Sequence, residues 1–328
     1  MVATSAPATA STRSSALRVW SALLIVYFVW GSTYVAIALM IETIPGLTGS
    51  GIRFVLAAAA MAVIVAIARG PRSLRVTRRE AGTSALIGVM LLATGIGTVS
   101  VVSEHVPTSV AALIVATIPL WVVVIRLISG DRPRPFTLIG VAVGLIGLGA
   151  ILLPGGTSAP ASGPAADGTA IVAGTIALVF STFLWALGSW LTPRLPRPSN
   201  ILVFTTYQML VAGIVLLIVG RIVGEELDLS AVSTSSWVGL AYLITFGSLI
   251  AYTAFTWLVG NAPLSLVTTY AYVNPAVAVV LGVIAFGEVI SSDVIIGVVF
   301  VLGGVALVVS GERVRRQPIP VETSAGGT

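Results

Sequence analysis

The sequence predicts an all-α polytopic membrane protein, with ten transmembrane helices arranged as two inverted five-helix repeats. Three observations predict it. Hydrophobic residues fill 57% of the 328 positions and charged residues only 9%, with a mean hydropathy of +1.07. Apolar runs of about 20 residues, the length that crosses a bilayer core, recur from Val19 to Ser310. The second half of the chain also repeats features of the first half in the same order. A soluble domain carries about 25% charged residues, and 17 basic plus 12 acidic side chains cannot wet a globule of this length. Disordered chains are poor in apolar residues, so the same composition excludes disorder. Cysteine is absent, which excludes disulfides and thiolate chemistry. His105 is the single histidine, so no imidazole pair exists for a metal or haem, and no cofactor or metal is expected.

Reading in units of about 20 residues gives spans at 19–40, 47–68, 81–102, 107–129, 135–153, 169–191, 200–220, 236–259, 263–287 and 292–310. Breakers separate them: Pro45-Gly46, Gly70-Pro71, Pro107, Arg132-Pro133, the stretch Pro193 to Pro198, and Pro263. Residues 1–18 read as a cytoplasmic N-terminal tail, 154–168 as an external Gly/Pro/Ser/Ala linker, and 311–328 as a cytoplasmic C-terminal tail. The first apolar run carries Trp30 and Tyr34 rather than a small-residue cleavage site, so it reads as an uncleaved span. The basic residues are all Arg, and with both termini in the cytoplasm 15 of the 17 fall on the cytoplasmic side; Arg221 lies outside and Arg53 within a span. This is the positive-inside bias. The net charge of +5 is therefore a topology signal, and no nucleic-acid partner is inferred. The chain reads as multi-pass in the plasma membrane.

The repeat is legible in outline. Ser109 and Ser265 each precede a proline, Pro119 and Pro275, by ten residues. Glycine-rich spans follow, with Gly140, Gly144 and Gly147 in one half and Gly297, Gly303 and Gly304 in the other. Phe28-Val29-Trp30 resembles Phe183-Leu184-Trp185, and Arg53-Phe54-Val55-Leu56-Ala57 occupies the place of Gln208-Met209-Leu210-Val211-Ala212. The units cover 19–153 and 169–310. Each has an odd number of spans, so the second enters the membrane upside down. Inverted repeats of this kind place a substrate site near the midplane, at the repeat interface.

The sequence here resembles a known family. Trp30-Gly31-Ser32-Thr33-Tyr34 followed by Arg53-Phe54, then Ala111-Ala112-Leu113-Ile114 running to Pro119-Leu120, resembles the EamA-type members of the drug/metabolite transporter superfamily. Tyr272-Val273-Asn274-Pro275-Ala276-Val277 and Phe286-Gly287-Glu288 extend the resemblance through the second half. Gly130-Asp131-Arg132 stands where the family often has Gly-Glu-Arg. The resemblance covers about residues 20–310 and implies a bundle that exports small metabolites, amino acids or drugs.

Polar side chains at bilayer depth are costly and face a cavity or a neighbouring helix. Thr245, Ser248, Tyr252 and Thr256 fall on one face of an α-helix by their spacing of three, four and four. Thr269, Tyr272 and Asn274 mark the ninth span, Thr94 and Thr98 the third, Trp30, Ser32, Thr33 and Tyr34 the first, and Trp185 the sixth. These are the candidate substrate-binding residues, with hydroxyls for hydrogen bonds and rings for an apolar body. Interhelical packing is the competing reading of the hydroxyls. Pro119 and Pro275 are candidate hinges, because each removes a backbone donor and frees a carbonyl. Arg53 and its neutral counterpart Gln208 are candidate gating or structural residues, and Glu42 or Glu104 are expected partners for Arg53. Glu104-His105 reads as a solvated turn. Gly140 to Gly144 forms a GxxxG contact, with the fifth and tenth spans as scaffold.

The expected partners are a small-molecule substrate and the lipid bilayer, with a homo-oligomer left open. The favoured function is secondary transport by alternating access. A flippase for a lipid-linked intermediate, or a passive uniporter or channel on the same fold, is the alternative. An intramembrane enzyme is disfavoured, since no HExxH, Cys/His pair or mid-span acidic pair is present.

Overall fold

The computed structural model describes residues 9–102, 114–152, 168–277 and 292–313. Glu104, His105, Ser109, residues 154–167 of the expected linker, Glu288 and the segment after Arg313 lie outside the described residues, and Gly168 is helical. Every regular element among the described residues is helical. In chain order these are α1 (Thr9–Ile41), α2 (Gly46–Arg69), α3 (Arg78–Val102), α4 (Ile118–Ile128), α5 (Pro135–Leu152), α6 (Gly168–Leu191), α7 (Ile201–Ile222), α8 (Thr234–Asn261), α9 (Leu264–Val267, helical again over 270–277) and α10 (Ser292–Arg313). Seven helices among the described residues are long and apolar enough to cross a membrane. Ile118–Ile128 and Pro135–Ala150 are shorter apolar helices. Two ends differ from the sequence expectation. The first helix starts at Thr9 rather than near 19, and the last runs to Arg313, so Glu312 is helical rather than part of a tail.

Local chemistry explains the ends. Gly70 closes α2 with φ 81°, a left-handed conformation suited to glycine. Thr77 and Glu80 form a reciprocal capping box that starts α3. Asn200 accepts from the Leu202 N–H to start α7. Helix α2 begins after Pro45, which offers no side-chain cap. The Glu225 carboxylate, from the α7–α8 connection, accepts instead from Leu47 N (3.0 Å) and Thr48 N (2.7 Å), meeting both the orphan donors and the positive end of the helix dipole.

Two helices depart from the α pattern in the same way. In α3 residues Val89–Ile96, and in α8 residues Leu243–Tyr252, adopt the wider π-helical turn. Each stretch sits in the third helix of its half of the chain. Wider i→i+5 turns are uncommon and cluster at functional sites.

Glycines set the closest packing. An added Cβ at Gly140 would lie 2.7 Å from Gly304 O, and one at Gly147 would lie 2.6 Å from Gly297 O. Helices α5 and α10 therefore cross backbone to backbone, and the pairing of 140 with 304 and 147 with 297 makes them antiparallel. Gly51 meets Leu217 and Gly213 meets Val55, so α2 and α7 also run antiparallel. Contacts are also exchanged between the halves: α1 packs on α8, and α6 packs on α3. Apolar side chains such as Ile67, Phe136, Ile176 and Ile222 point outward, while Ser50, Ser84, Thr205 and Gln208 are buried. This is the polarity expected of a bundle surrounded by hydrocarbon rather than water.

At the end of the bundle where α4 stops, a buried ionic cluster ties four helices together. Arg126 donates to Asp131 (2.9 Å), to Glu312 (2.8 Å) and to the Ser265 hydroxyl. The Thr137 hydroxyl donates to the same Glu312 carboxylate at 3.3 Å. Removing one partner of a buried pair costs about 3–5 kcal/mol, because the other charge is stranded.

The α5–α10 contact makes a paired prediction. Gly304→Ala would force Cβ to 2.7 Å from Gly140 O, whereas a Cβ at Gly303 meets nothing within 4 Å. Thermal unfolding of the purified protein in detergent should show Gly304→Ala destabilised by about 1–3 kcal/mol, with Gly303→Ala unchanged or slightly more stable. Equal melting temperatures would contradict the crossing.

Candidate functional site

One cavity is built from both halves of the chain. Its empty volume is about 780 Å³ counting the open mouth. Helix α1 contributes Trp30, Thr33, Tyr34 and Ile37, α2 contributes Arg53, and α3 contributes Gly95, Ile96 and Val99. Val115 comes from the segment just ahead of α4 and Ile118 from its first turn, Ser181, Thr182 and Trp185 from α6, and Tyr270, Ala271 and Asn274 from α9. Neither α5 nor α10 lines it. The lining starts at mid-helix and runs toward the end where α1 and α3 terminate, opposite the Arg126 cluster.

Its floor is aromatic. Trp30 meets Tyr270 edge-on at 4.9 Å, Phe255 at 5.1 Å and Trp185 at 5.8 Å between ring centroids. Edge-to-face rings at these distances pack favourably beyond their buried area. The Trp30 indole N–H donates to Gly247 O at 3.4 Å, which fixes the ring against α8. Gly95 makes room for Trp185, since an added Cβ there would stand 2.4 Å from the indole.

Arg53 is the charged group in this lining. It is 3% exposed. Its Nε donates to the Ser248 hydroxyl at 2.8 Å, and its guanidinium carbon stands 5.0 Å from the centroid of the Phe54 ring. The guanidinium lies across Gly247, where a Cβ would come within 2.6 Å of Nη2. The sequence suggested Glu42 as a partner, but Glu42 accepts instead from the Ser235 hydroxyl at 2.6 Å. Glu104 lies outside the described residues.

Of the residues proposed from sequence, Trp30, Thr33, Tyr34, Trp185, Asn274 and Arg53 come together on the cavity. The others stand elsewhere. Ser32 bonds the Tyr242 hydroxyl at 2.6 Å, and Thr94 donates to Met90 O at 2.6 Å. Thr98 is half-buried, away from the lining. Ser248 acts behind Arg53, and the Tyr252 hydroxyl donates to Gln208 Oε1. Thr269 bonds the Tyr27 hydroxyl. The Tyr272 ring is buried against Gly144 of α5. Thr245 is exposed, so the four-hydroxyl stripe read on α8 does not hold: that spacing assumed α-helical turns, and the π stretch displaces Thr245 from the face of Ser248 and Tyr252.

The prolines differ as well. Pro119 stands in the first turn of α4, where a missing N–H costs little, so it starts a helix rather than kinking one. Pro275 lies within the helical stretch 270–277. The carbonyls four residues before the two prolines belong to Val115 and Ala271, and both residues line the cavity.

Tyr270, Ser181 and Thr182 were missed. Tyr270 and Tyr272 could not be ranked from sequence, because the turn at 268–269 resets the phase of α9. Ser181 and Thr182 precede Trp185 by four and three residues, a spacing that shares a helical face and could have identified them.

The sequence profile of the EamA-like transporter family matches twice, over residues 18–153 and 172–310. The chain belongs to the EamA-like transporter family. It is 36% identical over 297 residues to the uncharacterized inner membrane transporter YedA of Escherichia coli strain K12, covering 90% of this chain and 92% of that one. It is 28% identical over 228 residues to Protein PecM of Dickeya dadantii, covering 67% of this chain and 71% of the other. A solved protein structure shares the fold at a TM-score of 0.72 with 20% identity, over 92% of this chain and 98% of its own. This EamA protein is thus a two-repeat membrane transporter embedded in a lipid bilayer.

The native chain has no cysteine, so single-cysteine reporters have no background. Thr33→Cys, on the cavity, should react with a water-soluble methanethiosulfonate, whereas Ala57→Cys, fully buried in the core, should not. Equal reactivity would argue against a water-accessible cavity.

Proposed function

We propose that this EamA protein is a secondary transporter that exports small metabolites by alternating access, with both termini cytoplasmic and the substrate held in the cavity between the repeats. The observation that carries the reading is the cavity itself, because both family-matched halves supply its walls and it lies at mid-helix. Three further features support two oppositely inserted repeats of five spans. The matched helices α2 and α7 are antiparallel, as are α5 and α10. Helix partners exchange between the halves, and both third helices carry a π stretch. Such inverted repeats underlie rocking around a fixed midplane site.

The two ends of the bundle differ in a manner suited to this mechanism. On the proposed outer side the cavity runs toward the helix ends. On the proposed cytoplasmic side the path is blocked by the aromatic floor and then by Arg126, Asp131, Glu312 and Ser265. Opening inward requires the Arg126 cluster to part, because Arg126 links α4 to α10 through Glu312 and to α9 through Ser265. The arginine-rich connections 69–79, 132–134 and 194–197 fall on this same side, in keeping with the positive-inside rule.

Cells lacking the gene should accumulate the cargo, and untargeted comparison of cells and medium would identify it. An unchanged metabolite profile, together with strictly linear uptake by inside-out vesicles, would sink the proposal. The inner closure has its own test. In inside-out vesicles a cysteine at Thr268, fully buried one turn beyond Ser265, should resist an impermeant maleimide and become reactive when Arg126→Gln is added. Reactivity that does not depend on Arg126 would show that the cluster is not the inner closure.

A further inference from the structure

The polar groups facing the cavity are unequal in kind. The hydroxyls of Thr33, Thr182 and Ser181 already donate, to Trp30 O (2.7 Å), Val179 O (2.8 Å) and Thr94 O (3.1 Å). In the orientation that pairs donors with acceptors, the Asn274 amide N–H lies 3.2 Å from both Tyr270 O and Tyr27 O. The groups left with spare donating capacity are three. The Arg53 Nη groups make no hydrogen bond among the described residues, because Nε alone is used, on Ser248. The hydroxyls of Tyr34 and Tyr270 also find no acceptor among the described residues, the Trp185 indole N–H being directed at the Tyr270 oxygen.

Charge is as one-sided as donor capacity. No aspartate or glutamate lines the cavity among the described residues. A guanidinium buried at this depth is costly unless an anion or dense hydrogen bonding compensates it. The Ala271 carbonyl, which loses its helical donor to Pro275, is a neutral oxygen and does not cancel a full charge. The guanidinium is also held in position by the Ser248 bond and the bare Cα of Gly247. Such a rigid planar fork matches a carboxylate with two parallel N–H···O bonds. Beside it the rings of Trp30, Trp185 and Tyr270 offer apolar walls.

We propose that the cargo is a small organic monocarboxylate with a flat apolar body, its carboxylate held by the two Nη groups of Arg53 and its body against the Trp30–Trp185–Tyr270 rings. This rests on the transporter reading above and narrows it to one chemical class. Arg53 then acts as the anchor of the cargo, and the empty cavity keeps a positive charge that the cargo neutralises.

The test uses the full-length protein in lipid nanodiscs, with matched acids and primary amides as probes: phenylacetate and phenylacetamide, benzoate and benzamide, indole-3-acetate and indole-3-acetamide. Binding is read by thermal shift and titration. At least one acid should bind on the order of tenfold more tightly than its amide, the scale of one charge-assisted contact. Arg53→Gln should reduce the acid to the level of its amide without weakening the amide, and Arg53→Lys should keep part of the preference. A misfolded variant would lose both probes, so the acid-to-amide ratio separates recognition from folding. Equal binding of acids and amides, a preference that survives Arg53→Gln, or no acid binding across the panel overturns the proposal. The metabolite experiment is independent of Arg53: accumulation of neutral or cationic metabolites alone would keep the transport reading and remove the anionic class.

Discussion

Hydrocarbon offers no hydrogen bonds, so each polar group in this bundle must be met from within. Most side chains meet the demand locally, folding a hydroxyl back onto a carbonyl three or four residues earlier. Ser84, Ser189, Thr192, Thr206 and Thr256 all do so. A hydroxyl satisfied in this way can pack against a neighbouring helix at little cost and carries no information about a ligand. Arg53 cannot fold back like this, since its five donors exceed what one helical turn can accept. Its place depends on a bare glycine and a serine hydroxyl of α8, on the ring of its chain neighbour Phe54, and on a cavity to receive what remains.

Composition and apolar run length were enough to identify a helical membrane protein, and the family followed from short motifs in the right order. Positions within the site were only half legible. Trp30, Thr33 and Tyr34 were reachable because they lie on one unbroken α-helix, where spacing predicts direction. Thr245 and Tyr272 were misplaced because the chain changes period, at Leu243–Tyr252 and at the turn 268–269, and no residue type announces such a change. Glu312 was hidden for another reason. It follows the last apolar run and looks like the start of a solvated tail, until its partner Arg126, 186 residues earlier, is brought beside it.

The two halves match in layout but not in chemistry. Arg53 and Gln208 stand at equivalent places in α2 and α7, and both bond to the π stretch of α8, to Ser248 and Tyr252 respectively. Both reach the same segment because α8 lies against both helices. Only one carries charge, so the halves cannot be energetically interchangeable even where their backbones correspond.

That asymmetry bears on the proposed rocking motion. A perfectly symmetric bundle would hold its two end states at equal energy, and an unoccupied carrier would relax in both directions freely. Here the end nearer the cavity mouth is held by hydrogen bonds from Glu225 to the α2 N-terminus, while the far end is held by the buried Arg126–Glu312 pair. Parting a buried pair strands two charges, whereas the Glu225 carboxylate and the α2 backbone amides are only partly buried, and water can replace their bonds at small cost. The far end is therefore the harder of the two to open. A small differential affinity is sufficient to shift such an equilibrium, since each 1.4 kcal/mol of preference for one state is about a tenfold change in its population.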